Sequence, residues 1–491
     1  MREHTVVIGA GFAGLSAAAH LAKGGRKVTL LEKHAEAGGR ARTLQAEGFT
    51  FDMGPSWYWM PDVFERHFAH FATHPSEHYD LVRLDPSYSV CFGPDDMLRI
   101  PAGMADLRAL FELLEPGSGK ALDAFLGEAR FKYEAGMRNM VYRPGLSIRE
   151  FADPVILKGL LRLQVFSSFR SHVRRYFRNP KLIRLLEFPV LFLGATPQDT
   201  PAMYSLMNHA DMVLGTWYPM GGMGKVVQAM VRIAEEQGVE IRYKETVEQI
   251  EVKNGRVVMV HTDLGSHACD EVVGGADYHH IEQRLLRPEH RRYTERYWDR
   301  RVLAPSVLMF YLGVNKRLDG LEHHTLFFDE DLDTHAREIY TDPAWPTKPL
   351  FYTSCASKTD PSVAPAGMEN LVILIPIAPG LKDDETTRER YYDLVMRRLE
   401  RNIGQPVREH VIYKRSYSVS DLEHDMNALK GNAYGLANTL RQTALLRPSI
   451  RSRKVKNLFY TGQLTVPGPG VPPALISGEV VAGHILSTTR A

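Results

Sequence analysis

Thr5-Val6-Val7-Ile8-Gly9-Ala10-Gly11-Phe12-Ala13-Gly14-Leu15 opens the chain, and Val28-Thr29-Leu30-Leu31-Glu32 follows after an Ala-rich stretch. An apolar strand runs into G-x-G-x-x-G, a helix follows, and a second strand ends on an acid. In that context the glycines read as a dinucleotide-binding turn rather than a chance repeat. Gly9 allows the tight turn, Gly11 lets the backbone approach a pyrophosphate, and Gly14 lets helix and strand pack closely. The helix N-terminus offers free N–H groups and a positive dipole end to the phosphates. Glu32 stands where a carboxylate accepts from a ribose 2′-OH, and where it would repel a 2′-phosphate, which disfavours NADP.

Outward from this unit, Gly38-Gly39-Arg40-Ala41-Arg42 pairs two glycines with arginines able to grip phosphate. Phe49-Thr50-Phe51-Asp52-Met53-Gly54-Pro55 reads as a short strand entering a Gly-Pro turn, the wall of a flat ligand pocket. Trp217 to Gly224 is a Gly-rich lead into a helix, able to approach a cofactor closely. Strands follow at Glu240–Tyr243, at Val247–Lys253 and Arg256–His261 around the hairpin signal Asn254-Gly255, and at Glu271–Gly274. The nucleotide-binding domain is therefore discontinuous, with expected pieces 1–70, 215–278 and 450–491.

At the other end, Leu458-Phe459-Tyr460-Thr461-Gly462-Gln463 gives a strand, and the Gly/Pro-rich loop 467–473 feeds a last helix with prolines in its first turn. A second positive dipole end is thus placed beside the first. Phosphates at one end and an anion-forming ring at the other describe FAD.

The remaining segments, 71–214 and 279–449, read as a mixed substrate domain. It has buried strands at Val307–Val314 and Leu371–Ile377, and helices at Leu122–Arg138 and Thr386–Arg401. Within 155–193, apolar residues from Ile156 to Phe177 recur every three or four positions. No acid interrupts the basic residues between Val155 and Arg184. That pattern fits either a helix drawn to anionic lipid or one burying its stripe in a core.

The bulk numbers agree. At 491 residues the chain exceeds a single core, which stops growing near roughly 250–300 residues. A net charge of +2 gives no reason to expect nucleic acid. Three dispersed cysteines, Cys91, Cys269 and Cys355, fit a reducing compartment and neither disulfides nor a metal site. No signal peptide is expected, and no run approaches the ~20 apolar residues of a spanning helix.

With these motifs in this order, G-A-G-F-A-G-L, L-E-K…G-G-R, F-D-M-G-P, W-Y-P-M-G-G-M and P-G-P-G-V-P-P, the whole chain resembles the bacterial-type phytoene desaturases. These are carotenoid-modifying members of the FAD-dependent amine oxidase-like superfamily. The resemblance implies an α/β fold: a Rossmann-like FAD-binding domain interleaved with an α+β substrate domain and a helical membrane-associating region. It implies FAD, no nicotinamide, a lipophilic polyene substrate, and oxygen or a quinone as electron acceptor. The expected location is cytoplasmic, peripheral to the inner face of the cell membrane. Carried over, Gly9, Gly11, Gly14, Glu32, Gly38, Gly39 and Arg40 hold the ADP portion, Val247 meets adenine through its backbone, and Gly54, Pro55, Gly462, Gly470, Val471 and Pro472 surround the flavin. Gln463 stands where many relatives carry a ribitol-binding acid.

No hydrolase or metalloprotease motif is present. Desaturation asks only for a hydride acceptor, a dry cavity and a weak base. Glu128 and Arg130 are the candidates for proton transfer and charge placement, with His209 and Asp211 a weaker pair. The alternatives are a carotene isomerase or retinoid saturase, a flavin amine oxidase, and a non-catalytic flavin scaffold.

Overall fold

His4–Ile8 (β1) is flanked by strands on both sides and buried along Thr5–Ile8. This explains its unbroken apolar run: a central parallel strand has no solvent face. In this computed structural model, which describes residues 2–151, 164 and 167–488, β1 leads into Phe12–Lys23 (α1). The chain returns as Lys27–Glu32 (β2). Glu240–Tyr243 (β3), Glu271–Gly274 (β4) and Leu458–Tyr460 (β5) join later, all parallel, in the order β5-β4-β1-β2-β3. The last helix, Val471–Thr488 (α2), lies on α1. A Cβ on Gly478 would stand 2.5 Å from the Ala13 carbonyl oxygen, so this crossing is as close as backbone allows.

A three-stranded antiparallel sheet, Val247–Lys253, Arg256–Thr262 and Gly265–Ala268, is inserted before β4. Its first turn has Asn254 at φ 50° and Gly255 at φ 72°, the mirror-image turn that Asn-Gly favours.

The second large sheet has seven strands. Ser306–Val314 and Glu369–Ile377 form its centre, antiparallel over nine residues each. Val411–Tyr417 lies on one side. Phe351–Ser354, His324–Phe327, Tyr88–Gly93 and Asp96–Ile100 continue on the other. Only the pairing of His324–Phe327 with Tyr88–Gly93 is parallel. This sheet therefore joins strands drawn from 88–100 and from 306–417. The helices Ser118–Asn139 and Glu385–Ile403 appear where the periodicity places them.

The basic stretch is not one continuous helix. Residues 152–163, 165 and 166 lie outside the described residues, and with them the first half of the 155–184 pattern. The described half forms two short helices, Phe169–Tyr176 and Pro180–Glu187, each begun by a side-chain cap, Ser168 and Asn179. Phe169, Val173, Phe177, Leu182, Leu185 and Leu186 are buried in the protein core. Arg170 pairs with Asp333, Arg174 with Glu187, and Lys181 with Asp96 at 2.6 Å. Here the apolar stripe is covered by protein rather than lipid. Of the acids that neutralise its basic residues, Glu187 closes the second helix while Asp333 and Asp96 come from elsewhere in the sequence, which periodicity does not register. Among the described residues no helix is long and apolar enough to cross a membrane.

Candidate functional site

A cavity of about 300 Å³ runs along the C-terminal edges of β1, β2, β4 and β5, the edge where ligands bind in such sheets. Glu32, Lys33 and Val247 line one end. Gly9, Gly11, Gly38, Gly39, Arg40 and Ala276 line the middle. Gly54, Pro55, Gly462, Gln463, Gly470 and Val471 line the other. The sequence reading thus named residues at both ends and the middle of one cavity, although they come from separate stretches between positions 9 and 471.

The turn is built as the glycine spacing requires. Gly9 sits at φ 96° and donates to the Leu31 carbonyl at 2.7 Å. Gly14 does not line the cavity; a Cβ there would stand 1.9 Å from the Gly9 carbonyl oxygen, so its work is the close approach of helix and turn. A Cβ on Gly11, by contrast, would meet no protein atom within 4 Å. The space beside Gly11 belongs to the cavity. Gly11 caps α1 with no side-chain hydrogen bond, so no side chain satisfies the first amides of that helix.

The Glu32 carboxylate accepts from Ala10 N–H at 2.8 Å and from His34 N–H at 2.9 Å. Each oxygen keeps a further lone pair for a ligand hydroxyl. Arg40 donates to the Asn432 carbonyl at 3.2 Å and Arg42 pairs with Asp425 at 2.8 Å. Both keep a buried Nε–H without a protein partner. Burial pulls the Arg40 guanidinium down from its ordinary value, while the nearby Asp277 carboxylate pushes it up. Gln463 reaches Arg40 at 2.9 Å when its amide oxygen faces the guanidinium. An acid at that place would neutralise Arg40; the amide leaves its charge available. Unpartnered guanidinium N–H groups, open space at Gly11 and an uncapped helix start all fit a diphosphate.

Pro472 is in the first turn of α2 but does not line the cavity. The lead into the helix Met223–Glu236 is also not part of it. The N-terminus of that helix is taken by Asp52, which accepts from Met223 N–H at 2.9 Å. Glu128 and Arg130 are not brought to the cavity either. Glu128 accepts from the Tyr176 hydroxyl at 2.8 Å, and Arg130 pairs at the surface with Glu134, one helical turn on, at 2.8 Å. Asp211 is buried and bonded to the Tyr88 hydroxyl at 2.7 Å.

Sequence reasoning passed over Met309, Leu374, Tyr417, Asp425 and Tyr434, which close the cavity from the seven-stranded sheet and the loops beside it. Met309 and Leu374 lie in runs read as buried strands, but strand pattern alone gives no clue that one face would meet a ligand.

The family model described as flavin containing amine oxidoreductase matches residues 12–486. The chain is 45% identical over 487 residues to a carotenoid 3,4-desaturase of Haloarcula japonica, covering 99% of this chain and 98% of that one. It is 31% identical over 495 residues to a zeta-carotene-forming phytoene desaturase of Myxococcus xanthus, covering 99% and 94%. Among solved structures, an oxidoreductase from Methanosarcina mazei superimposes with a TM-score of 0.66 at 16% identity, over 98% of this chain and all of that one. Putrescine oxidase bound to putrescine gives 0.65 at 14%, over 99% of each. At such identities the structural likeness speaks for the fold alone.

Proposed function

The chain belongs to the flavin containing amine oxidoreductase family, and on that premise we propose that it is an FAD-dependent carotenoid desaturase, removing hydrogen pairs from a membrane-dissolved C30–C40 polyene. The observation that carries this reading is the 45% identity to a carotenoid 3,4-desaturase along 99% of the chain. Bound FAD supplies the hydride acceptor.

The protein's own part is to bind, orient and keep dry. The Gly9–Gly14 turn and the start of α1 receive the pyrophosphate, with Gly38, Gly39 and Arg40 closing over it. Glu32 takes the ribose hydroxyls and Val247 lies along the adenine. Gly54, Pro55, Gly462 and the start of α2 at Gly470 and Val471 enclose the ring end. Met309, Leu374 and Val471 give that end an apolar wall, which suits a hydrocarbon and excludes water.

Residues 1–70, 215–278 and 450–491 form the FAD domain in this reading, since every strand of the parallel sheet falls within them. Residues 71–214 and 279–449 form the substrate domain. The enzyme works at the inner face of the cell membrane, with oxygen or a quinone as the final acceptor.

Anaerobic mixing of the FAD-loaded enzyme with liposome-borne polyenes tests this. The flavin is expected to bleach while visible absorbance of the polyene grows. A flavin that stays oxidised with polyenes but bleaches with a primary amine makes the enzyme an amine oxidase. Polyene conversion without net oxidation makes it an isomerase or saturase.

A further inference from the structure

Beside the ring end of the large cavity lies a second one of about 20 Å³, enough for a single water. Gly54, Met309 and Leu374 line both. The rest of its wall is polar for so small a space: Asp52, Ser56, Tyr352, Ser354 and Asn370 all contribute.

Most of these groups are already committed. The Tyr352 hydroxyl bonds to Ser56 Oγ at 2.9 Å and to His324 Nδ1 at 2.6 Å. Asn370 donates to the Thr50 carbonyl at 2.7 Å and accepts from Ser357 N–H at 2.8 Å. His324 is fully buried, its Nδ1 is taken, and burial holds it far below the ordinary histidine value. Asp52 differs. Its Oδ1 accepts from Met223 N–H at 2.9 Å. Gly222 makes that approach possible, because a Cβ there would stand 2.8 Å from the same oxygen. Burial pushes the Asp52 carboxyl up to about 7, against hydrogen bonds from Met223 and Gly224 N–H, and no charged side chain contributes to the shift. The titratable groups that face it are Tyr218 and Tyr352, both raised by burial far beyond ordinary tyrosine and so neutral. Asp360 lies beyond Tyr218, bonded to its hydroxyl at 3.3 Å and to Gly221 N–H at 2.6 Å.

Asp52 lines only the small cavity; the carboxylates that line the large one are Glu32, Glu245, Asp277 and Asp425, which stand with Lys33, Arg40 and Arg42 toward its adenine end and middle. A hydrocarbon brings no base of its own, and Met309, Leu374 and Val471 offer none. We propose that Asp52, through one water held in the small cavity, accepts the proton that the substrate loses next to the carbon giving up its hydride. The inference rests on the desaturase reading. One C–H pair leaves as hydride to the flavin. The electrons of the neighbouring C–H bond become the second bond of the new C=C. That proton passes to the water as the water's own proton goes to Asp52, forming a neutral carboxyl. The flavin is the oxidant, and two hydrogens leave for each double bond formed.

Asp52→Asn is the decisive variant. An amide oxygen can still accept from Met223 N–H, so the helix start keeps its cap while the base is lost. Flavin reduction is followed anaerobically with phytoene and with lycopene in phosphatidylcholine liposomes. The wild-type rate should rise with pH through about 7. In Asp52→Asn that limb should vanish and the rate fall by about 10²–10⁴-fold, with flavin content unchanged. A rate within about threefold of wild type and the same limb overturns the proposal. Infrared difference spectra of the two proteins without substrate give a readout independent of turnover. A carboxyl C=O band present at pH 6, lost at pH 8 and missing from Asp52→Asn is expected; its absence overturns the proposal. Should Asp52→Asn fail to hold flavin, Asp52→Glu carries the test: its limb must move, and an unmoved limb overturns it. If the wild-type flavin bleaches with neither polyene, the desaturase reading falls and this proposal with it. If the wild type bleaches and Asp52→Asn matches it, only the role of Asp52 falls.

Discussion

Glu32 accepts the backbone N–H of Ala10 across 22 residues at 2.8 Å. The acid at the end of β2 therefore ties down the middle of the glycine turn before any ligand arrives. Its second oxygen takes His34 N–H at 2.9 Å. Glu32→Gln turns one of these acceptors into an –NH₂ facing a backbone N–H. We expect the apoprotein to lose about 1–3 kcal/mol of stability and the variant to purify with reduced flavin occupancy. Denaturation of the apoprotein and the flavin-to-protein absorbance ratio measure the two effects. Full occupancy at wild-type stability would contradict both roles.

Gly11 and Gly14 should separate cleanly. Gly11→Ala meets no protein atom within 4 Å, whereas the Cβ of Gly14→Ala falls 1.9 Å from the Gly9 carbonyl oxygen. Gly11→Ala is expected to fold as stably as wild type without flavin and to bind flavin poorly. Gly14→Ala is expected to cost about 1–3 kcal/mol even without flavin. Apoprotein melting and flavin titration decide the matter; equal behaviour of the two variants would be the wrong outcome.

His67 links burial to acid sensitivity. It is fully buried, and burial, then the neighbouring His70, pull it down to about 3. His20, whose ring centroid lies 5.4 Å away, is held at about 3 by burial first and His67 next. Lys23, His70 and Glu479 also act on His20. A histidine kept neutral in the fold but protonated when unfolded stabilises above about 6.5. That stability is lost as pH falls from about 6.5 toward about 3. At pH 5 the loss is about 2 kcal/mol for one such group. His67→Phe should narrow the stability gap between pH 7.5 and pH 5 by about that amount. Chemical denaturation at the two pH values checks this, and an unchanged gap refutes it.

Membrane attachment is best tested away from Arg170 and Arg174, which are paired with Asp333 and Glu187. Reversing those two would break contacts within the protein. Lys158→Glu, Arg162→Glu, Arg175→Glu and Arg178→Glu combined should reduce co-sedimentation with anionic liposomes while melting stays unchanged. Undiminished co-sedimentation would remove the basic stretch from membrane binding.

The sequence by itself determined the cofactor and the sheet that holds it. Gly9 to Glu32, the Gly-Pro turn at Gly54 and the strand–loop–helix at Leu458 to Val471 carry their meaning locally, in backbone conformations and helix starts fixed by a few adjacent residues. The Asn254-Gly255 turn and the central strands of the large sheet were legible for the same reason. Only the tertiary structure decided what covers each apolar stripe and which charges meet. The described part of the basic stretch is sealed by the core and paired with Asp333, Glu187 and Asp96. Glu128 and Arg130 stand away from the cavity, whereas Asp52, first read as part of a turn, stands in the wall beside its ring end. Periodicity reports that a face is apolar, not what lies against it. A carboxylate's chemistry depends on burial and on partners distant in the sequence, as Asp52 depends on Gly222 and on Met223, 171 residues away.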